Sequence, residues 1–138
     1  MTSGSEGEVA IRAERDIVTA RQSVREASSR LGFSVIDTTR VVTAASELAR
    51  NILKYAGTGV MRWRLLEKDV TPGIELCFED QGPGIPDVEQ ALLEGYSSAG
   101  GLGMGLPGAR RLMDEMEITS AVNKGTRVLV RKWRRRFI

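Results

Sequence analysis

The stretch "EDQGPGIP", Glu79 to Pro86, closes an alternating apolar run on an acid and then sets two glycines around a proline. A strand that stops on Asp80 in this way needs a rigid turn rather than a slack one. A second glycine cluster, "AGGLGMGLPG", follows from Ala99 to Gly108. Taken singly each is an ordinary loop. Taken together they are two walls of one pocket, and the flanking sequence has to decide between these readings.

Upstream, "VMRWRLL" and "IELCFED" alternate apolar and polar residues, with Met61, Trp63 and Leu65 on one side and Ile74, Leu76 and Phe78 on the same side of the second run. That period predicts two strands, with "KDVTPG" between them as a turn punctuated by Pro72-Gly73. "EVAIRA" predicts a short edge strand near the start. Ile17, Val24 and Leu31 recur every seven residues with Ala20 and Ala27 between them, which predicts a helix from Asp16 to Leu31, stopped by Gly32. A second helix is expected from a cap at Asp37 to about Ala56, with Val41, Ala45, Leu48, Ile52 and Tyr55 as its apolar stripe. After the first glycine turn come a short helix from Asp87 to about Glu94, a helix from Leu106 to Met116, and a hairpin of "EITSAV", "NKG" and "TRVLVRKW". The expected fold is α+β: a two-layer α/β sandwich, its sheet mixed and mostly antiparallel, with helices on one face. Residues 1–7 are expected as a disordered leader and 8–138 as one domain.

Composition narrows the chemistry. The 138 residues are 41% hydrophobic and 28% charged, ordinary for a globular chain with one core. No apolar run approaches the roughly 20 residues of a membrane span. The single cysteine, Cys77, cannot pair within the chain, so a reducing, cytoplasmic setting is the expectation. Histidine is absent, which removes His-metal sites, Ser-His and Cys-His nucleophiles and any autophosphorylated histidine. Proton transfer therefore falls to a carboxylate, lysine or tyrosine. The net charge of +2 is too small by itself to imply a nucleic-acid partner, although the chain ends on "RKWRRRF" with no acid after Glu117.

Four short segments carry chemistry. In "ELARN", Glu47 and Asn51 are four residues apart on a helix and share a face. A carboxylate beside an amide oxygen suits a general base next to a hard-metal ligand, as readily as it suits a solvated face. Asp80 at a strand end can accept from an exocyclic amine, or cap its own turn. Gly82 and Gly84 let backbone approach a flat ring. Gly101, Gly103 and Gly105 lead into a helix and offer N–H groups for phosphate, or simply permit close packing. In "NKGT", Thr126 opens the last strand. Gly103, Gly105 and Gly108 match G-x-G-x-x-G, but no strand leads into them and no acid lies about 20 residues on, which argues against a dinucleotide site. There is no P-loop, and the elements of ordinary protein kinases are missing.

In the order ELARN, DQGPG, GGLGMG and GT, these segments resemble the GHKL or Bergerat ATP-binding fold shared by gyrase B, Hsp90, histidine kinases and MutL. Within it, "ASELARN", "EDQGPGIPD", "GGLGMGLPGARRLMDE" and "NKGT" resemble the serine/threonine kinases of the anti-sigma-factor type, and most of all the stressosome switch kinases. The resemblance runs from about Val9 to Trp133. It implies a kinase that uses ATP and Mg²⁺, phosphorylates STAS-domain proteins, and on release activates a PP2C-type phosphatase. By position it makes Glu47 the catalytic base and Asn51 the Mg²⁺ ligand. Asp80 becomes the adenine acceptor, sharing a water with Thr126. Gly82 and Gly84 line the ring, and Gly101, Gly103 and Gly105 wrap the phosphates.

One departure is an arginine that such kinases carry before the last lid glycines. Here the segment reads "SSAGG", so that charge must come from elsewhere, with Lys54, Arg110 and Arg111 as candidates. The rival reading from another class is a nucleotide-tuned binding switch that sequesters partners with little or no kinase activity. A nucleic-acid reading of the basic tail is disfavoured against a solvated strand end with Trp133 packed inward. No nucleic-acid or membrane partner is expected, and a weak homodimer stays open beside a monomer.

Overall fold

In the computed structural model, residues 4–85, 87–92 and 105–135 are described. The elements run β1 (Glu6–Ile11), α1 (Glu14–Arg30), α2 (Val35–Tyr55), β2 (Gly59–Lys68), β3 (Thr71–Asp80), α3 (Val88–Ala91), α4 (Leu106–Leu112), β4 (Glu115–Ser120) and β5 (Thr126–Trp133). The strands form one sheet in the order β1-β2-β3-β5-β4. All four ladders are antiparallel, so the mixed sheet expected from sequence is in fact uniform.

The period-2 pattern explains which face is covered. Met61, Ile74, Leu76, Phe78, Val128 and Val130 point to the helices and meet Val24, Val41, Ala45, Leu48 and Ile52 in one buried cluster. On the opposite face the strands carry charge instead. Arg62 bridges Glu8 and Glu79, and Arg64 pairs with Glu75 at 2.9 Å. Arg131 holds Glu75, Glu115 and Glu117 at 2.8, 3.0 and 3.2 Å. Its guanidinium and the Trp133 Nε1–H bond at 2.7 Å act on Glu115; the tryptophan bond has the larger share in holding that carboxyl below its ordinary range. Cys77 also lies on this face, and burial pushes its thiol up.

Several boundaries differ from the sequence reading, each for a local reason. β1 begins at Glu6, two residues inside the expected leader. Asp37 does not cap α2. Ser34 does, its hydroxyl accepting from Asp37 N at 3.0 Å, while the Asp37 carboxylate turns into an ion cluster with Arg40, Lys132 and Arg135. Pro72 and Gly73 are inside β3. The Pro72 carbonyl accepts from Arg134 N at 2.8 Å, and Gly73 leaves room for the Trp133 ring, to which a Cβ would come within 2.7 Å of Cζ3. Trp133 therefore lies on the charged outer face, not inward. α4 ends at Leu112, so Met113 is its C-cap and Met116 is a strand residue packed on the core. Among the described residues, no helix is long and apolar enough to cross a membrane.

The β2–β3 turn is made by Asp69 and Val70, with φ of 51° and 60°. Two consecutive left-handed residues suit the twist of a hairpin, but a β-branched side chain is poorly accommodated there. Val70 is exposed and so contributes little packing in return. We predict that Val70→Gly stabilises the fold by about 1 kcal/mol, read as a higher urea midpoint at unchanged slope.

Candidate active site

The site is built where α2, the end of β3 and the β4–β5 hairpin converge. α2 presents its buried stripe to the sheet, and Glu47 and Asn51 border that stripe, both half-buried. Glu47 meets Arg50 at 3.5 Å, rather than Asn51 or Lys54. Lys54 is exposed, with its Nζ 5.3 Å from the centroid of the Tyr55 ring.

Asp80 is the last residue of β3 and lies directly opposite Thr126, the first of β5. Its Oδ1 accepts from Gly82 N at 2.8 Å, which makes the rigid turn an Asx turn. The capping role and the acceptor role are compatible, because the second oxygen, Oδ2, has no hydrogen-bond partner among the described residues. Gly82 is required by its neighbour: a Cβ there would stand 2.6 Å from Ala56 Cβ, at the end of α2. Gly84 is required by its backbone, with φ of 81°.

Ser120 is a hub that the sequence did not announce. Its hydroxyl accepts from Ile85 N at 2.8 Å and donates to the Gly125 carbonyl at 2.9 Å. The 2.8 Å contact between Ser120 Oγ and Thr126 Oγ1 must then have Thr126 as donor, since a serine has one proton and the carbonyl takes it. Thr126 Oγ1 is left with lone pairs only, so it can share a water with Asp80 as an acceptor. Asn123 N also donates to the Pro83 carbonyl at 2.7 Å, closing the hairpin over the glycine turn. The only sequence signal for Ser120 was its place opposite Thr126 in a hairpin, visible once the register is known.

The second glycine segment meets α2 at one described point. A Cβ on Gly105, the residue before α4, would lie 3.4 Å from Asn51 Nδ2 and 3.5 Å from its Oδ1. The helix-borne amide and the start of α4 are therefore neighbours. Gly101 and Gly103 lie outside the described residues. Arg110 and Arg111 are exposed on α4. Of the basic tail, Arg131 and Lys132 are engaged by carboxylates and Trp133 by Glu115, so the first three residues of "RKWRRRF" do not form a free cationic strip.

Residues 10–132 match the histidine kinase-like ATPase domain. This chain belongs to that family. Within the histidine kinase-like ATPases it is 46% identical to the serine/threonine-protein kinase RsbT of Bacillus subtilis (strain 168), covering 92% of this chain and 96% of that one. It is 33% identical to the anti-sigma F factor of Clostridium novyi (strain NT), over 82% of each. Two solved structures share the fold at 19% identity. One, with RsbU and RsbW domains, is from Mycobacterium tuberculosis; its TM-score is 0.63, with 98% of this chain and 34% of that chain covered. The other is the mycobacterial sensor histidine kinase MprB, with a TM-score of 0.56 and coverage of 96% and 99%.

An ATPase-type ligand can be tested against the groups present. Asp80 Oδ2 is an open acceptor for an amine, and glycines line the turn beside it. No cluster of three or more carboxylate or cysteine ligands occurs among the described residues. The single amide oxygen of Asn51 suits Mg²⁺, which keeps water and phosphate in most of its coordination shell. The residues fit the group.

Ser120→Ala should loosen the glycine turn from the hairpin, leaving Ile85 N unpaired while the Asn123 N bond to the Pro83 carbonyl remains. We expect a loss of about 1–3 kcal/mol in urea unfolding, together with weaker ATP binding, because the turn that Asp80 anchors loses its backing.

Proposed function

We propose that this chain is a Mg-ATP-dependent protein serine/threonine kinase and partner-switching regulator. It phosphorylates STAS-domain proteins, leaves them, and then activates a PP2C-type phosphatase, working in the cytoplasm. The observation that carries the reading is the seating of Asn51, one turn beyond Glu47, against Gly105 at the head of α4. An amide oxygen one helical turn from a carboxylate thus neighbours the end of a glycine segment, which supports the reading. The 46% identity to a named kinase, against 33% to an anti-sigma F factor, favours phosphotransfer over sequestration alone.

Asp80 accepts from the purine amine through Oδ2 while Gly82 N fixes its other oxygen. Thr126 holds the shared water as an acceptor. Gly82 and Gly84 leave the turn free of side chains where a ring would lie. Asn51 would give one oxygen to Mg²⁺, and the Gly105 N–H would serve phosphate; Gly101 and Gly103, given the same role by the sequence resemblance, lie outside the described residues. ATP, when bound, supplies the transferable phosphoryl group. Glu47 orients the acceptor hydroxyl and takes its proton; its pairing with Arg50 is long and half-exposed, so the carboxylate is free to turn. Positioning and charge neutralisation do most of the remaining work in such a transfer.

Glu47→Gln separates the two readings. We expect Mg-ATP affinity to stay within about twofold of wild type while phosphate transfer to a STAS protein, followed with labelled ATP, falls by about 10²-fold or more. Transfer that persists at the wild-type rate removes Glu47 as the base.

A further inference from the structure

The corner where the α1–α2 turn meets the end of β5 is a cleft lined by Ser34, Ile36, Asp37, Arg40, Arg134 and Arg135. Its charge is lopsided. Asp37 and Lys132 are only 4% and 2% exposed. Asp37 faces Arg40 at 2.9 Å, Arg135 at 3.3 Å and Lys132 at 3.9 Å. Lys132 also meets Asp114 at 3.4 Å and donates to the Leu112 carbonyl at 3.0 Å. Arg134 donates to the Leu31 carbonyl at 3.0 Å and meets no carboxylate among the described residues. Among the described residues, four cations thus stand against two carboxylates, and the surplus lies on the guanidinium groups at the mouth of the cleft.

Beside them the surface is apolar. Val35 and Ile36 are 82% and 64% exposed, adjacent in sequence and at the head of α2. Neither packs on the core, and the ordinary surface pattern of a helix would put polar residues there. Arginines around an exposed isoleucine in one concave corner, with Val35 beside it, are what a protein-recognition site needs: an apolar anchor with a charged rim.

We propose that this corner docks an acidic segment of a protein partner, one whose large apolar side chain covers Val35 and Ile36 while its carboxylates meet Arg134, Arg135 and Arg40. Charge complementarity selects the occupant, since guanidinium groups pair carboxylates in a forked geometry. A bare phosphate or a nucleic acid would leave the aliphatic pair in water. A flat bilayer does not enter a concave corner. Ile36 precedes Glu47 by eleven positions on α2, about 16 Å along the helix. Docking therefore leaves the nucleotide contacts untouched, and the two surfaces can be occupied together.

The test is an NMR titration of the full, ¹⁵N-labelled chain with a synthetic helical peptide bearing glutamates on one face and leucines on the other. The expected result is saturable shifts confined to residues 31–40 and 131–135, with unchanged affinity when Mg-ATP is present. Ile36→Asp, an acid tolerated in the first turn of a helix, and Arg134→Gln, which keeps a donor for Leu31, should each weaken binding by about fivefold or more. The proposal is overturned by the absence of saturable shifts, by shifts elsewhere, or by variants that bind as wild type does. It is equally overturned if inorganic phosphate or phosphatidylserine vesicles reproduce the shifts, or if removing residues 136–138 moves the Val35 and Ile36 resonances and so makes the chain's own end the occupant.

Discussion

The apolar stripe of α2 sets the rotation of that helix on the sheet, and the site depends on that rotation. Val41, Ala45, Leu48 and Ile52 are all buried. At about 100° per residue, Glu47 and Asn51 then fall on the flank of the stripe, between core and solvent. Turned one way, the pair would be buried without partners, at a cost no isolated carboxylate can sustain. Turned the other way, Asn51 would leave Gly105. Hydrophobic burial, which has no direction of its own, is what aims two polar groups.

The sheet answers with a complementary constraint. Asp80 and Thr126 end their strands side by side. Ser120 then binds the glycine turn, the hairpin and Thr126 through one hydroxyl. The outer face meanwhile needs no cover from a second layer of helices, because acidic and basic side chains on neighbouring strands pair across it. Most of these pairs are exposed and individually weak, but the Glu75 carboxylate is nearly buried and takes two arginines. Their collective effect is to keep a one-sided sandwich polar on its open side.

Much of this was legible in the residues. The two-residue period of β2, β3 and β5 and the stripe of α2 from Val41 to Ile52 follow from burial, although Tyr55, expected in that stripe, is 46% exposed at the helix end. The errors came where one local signal had two owners. Ser34 and Asp37 are both capping residues, and only tertiary ion pairs show that Asp37 is wanted elsewhere. Pro72-Gly73 reads as a turn, yet the Trp133 ring from another strand is what the glycine accommodates. Met113 and Met116 share a helical spacing, but the chain straightens between them to join β5. The site was legible as four spaced fragments and not as contacts. Ser120 and Ala56 act across the fold, and no local rule points at either.

The central claim is that Asp80 reads the purine. Asparagine at this position keeps the Oδ1 acceptor for Gly82 N, and with it the turn, while replacing the second acceptor by a donor. Titration calorimetry of Mg-ATP and Mg-ADP into both proteins isolates that one change. The account predicts measurable binding by the wild type and a loss of about 10²-fold or more in Asp80→Asn, the penalty for opposing two donors in a partly buried site. Equal affinities in the two proteins, or none in either at millimolar nucleotide, would contradict it.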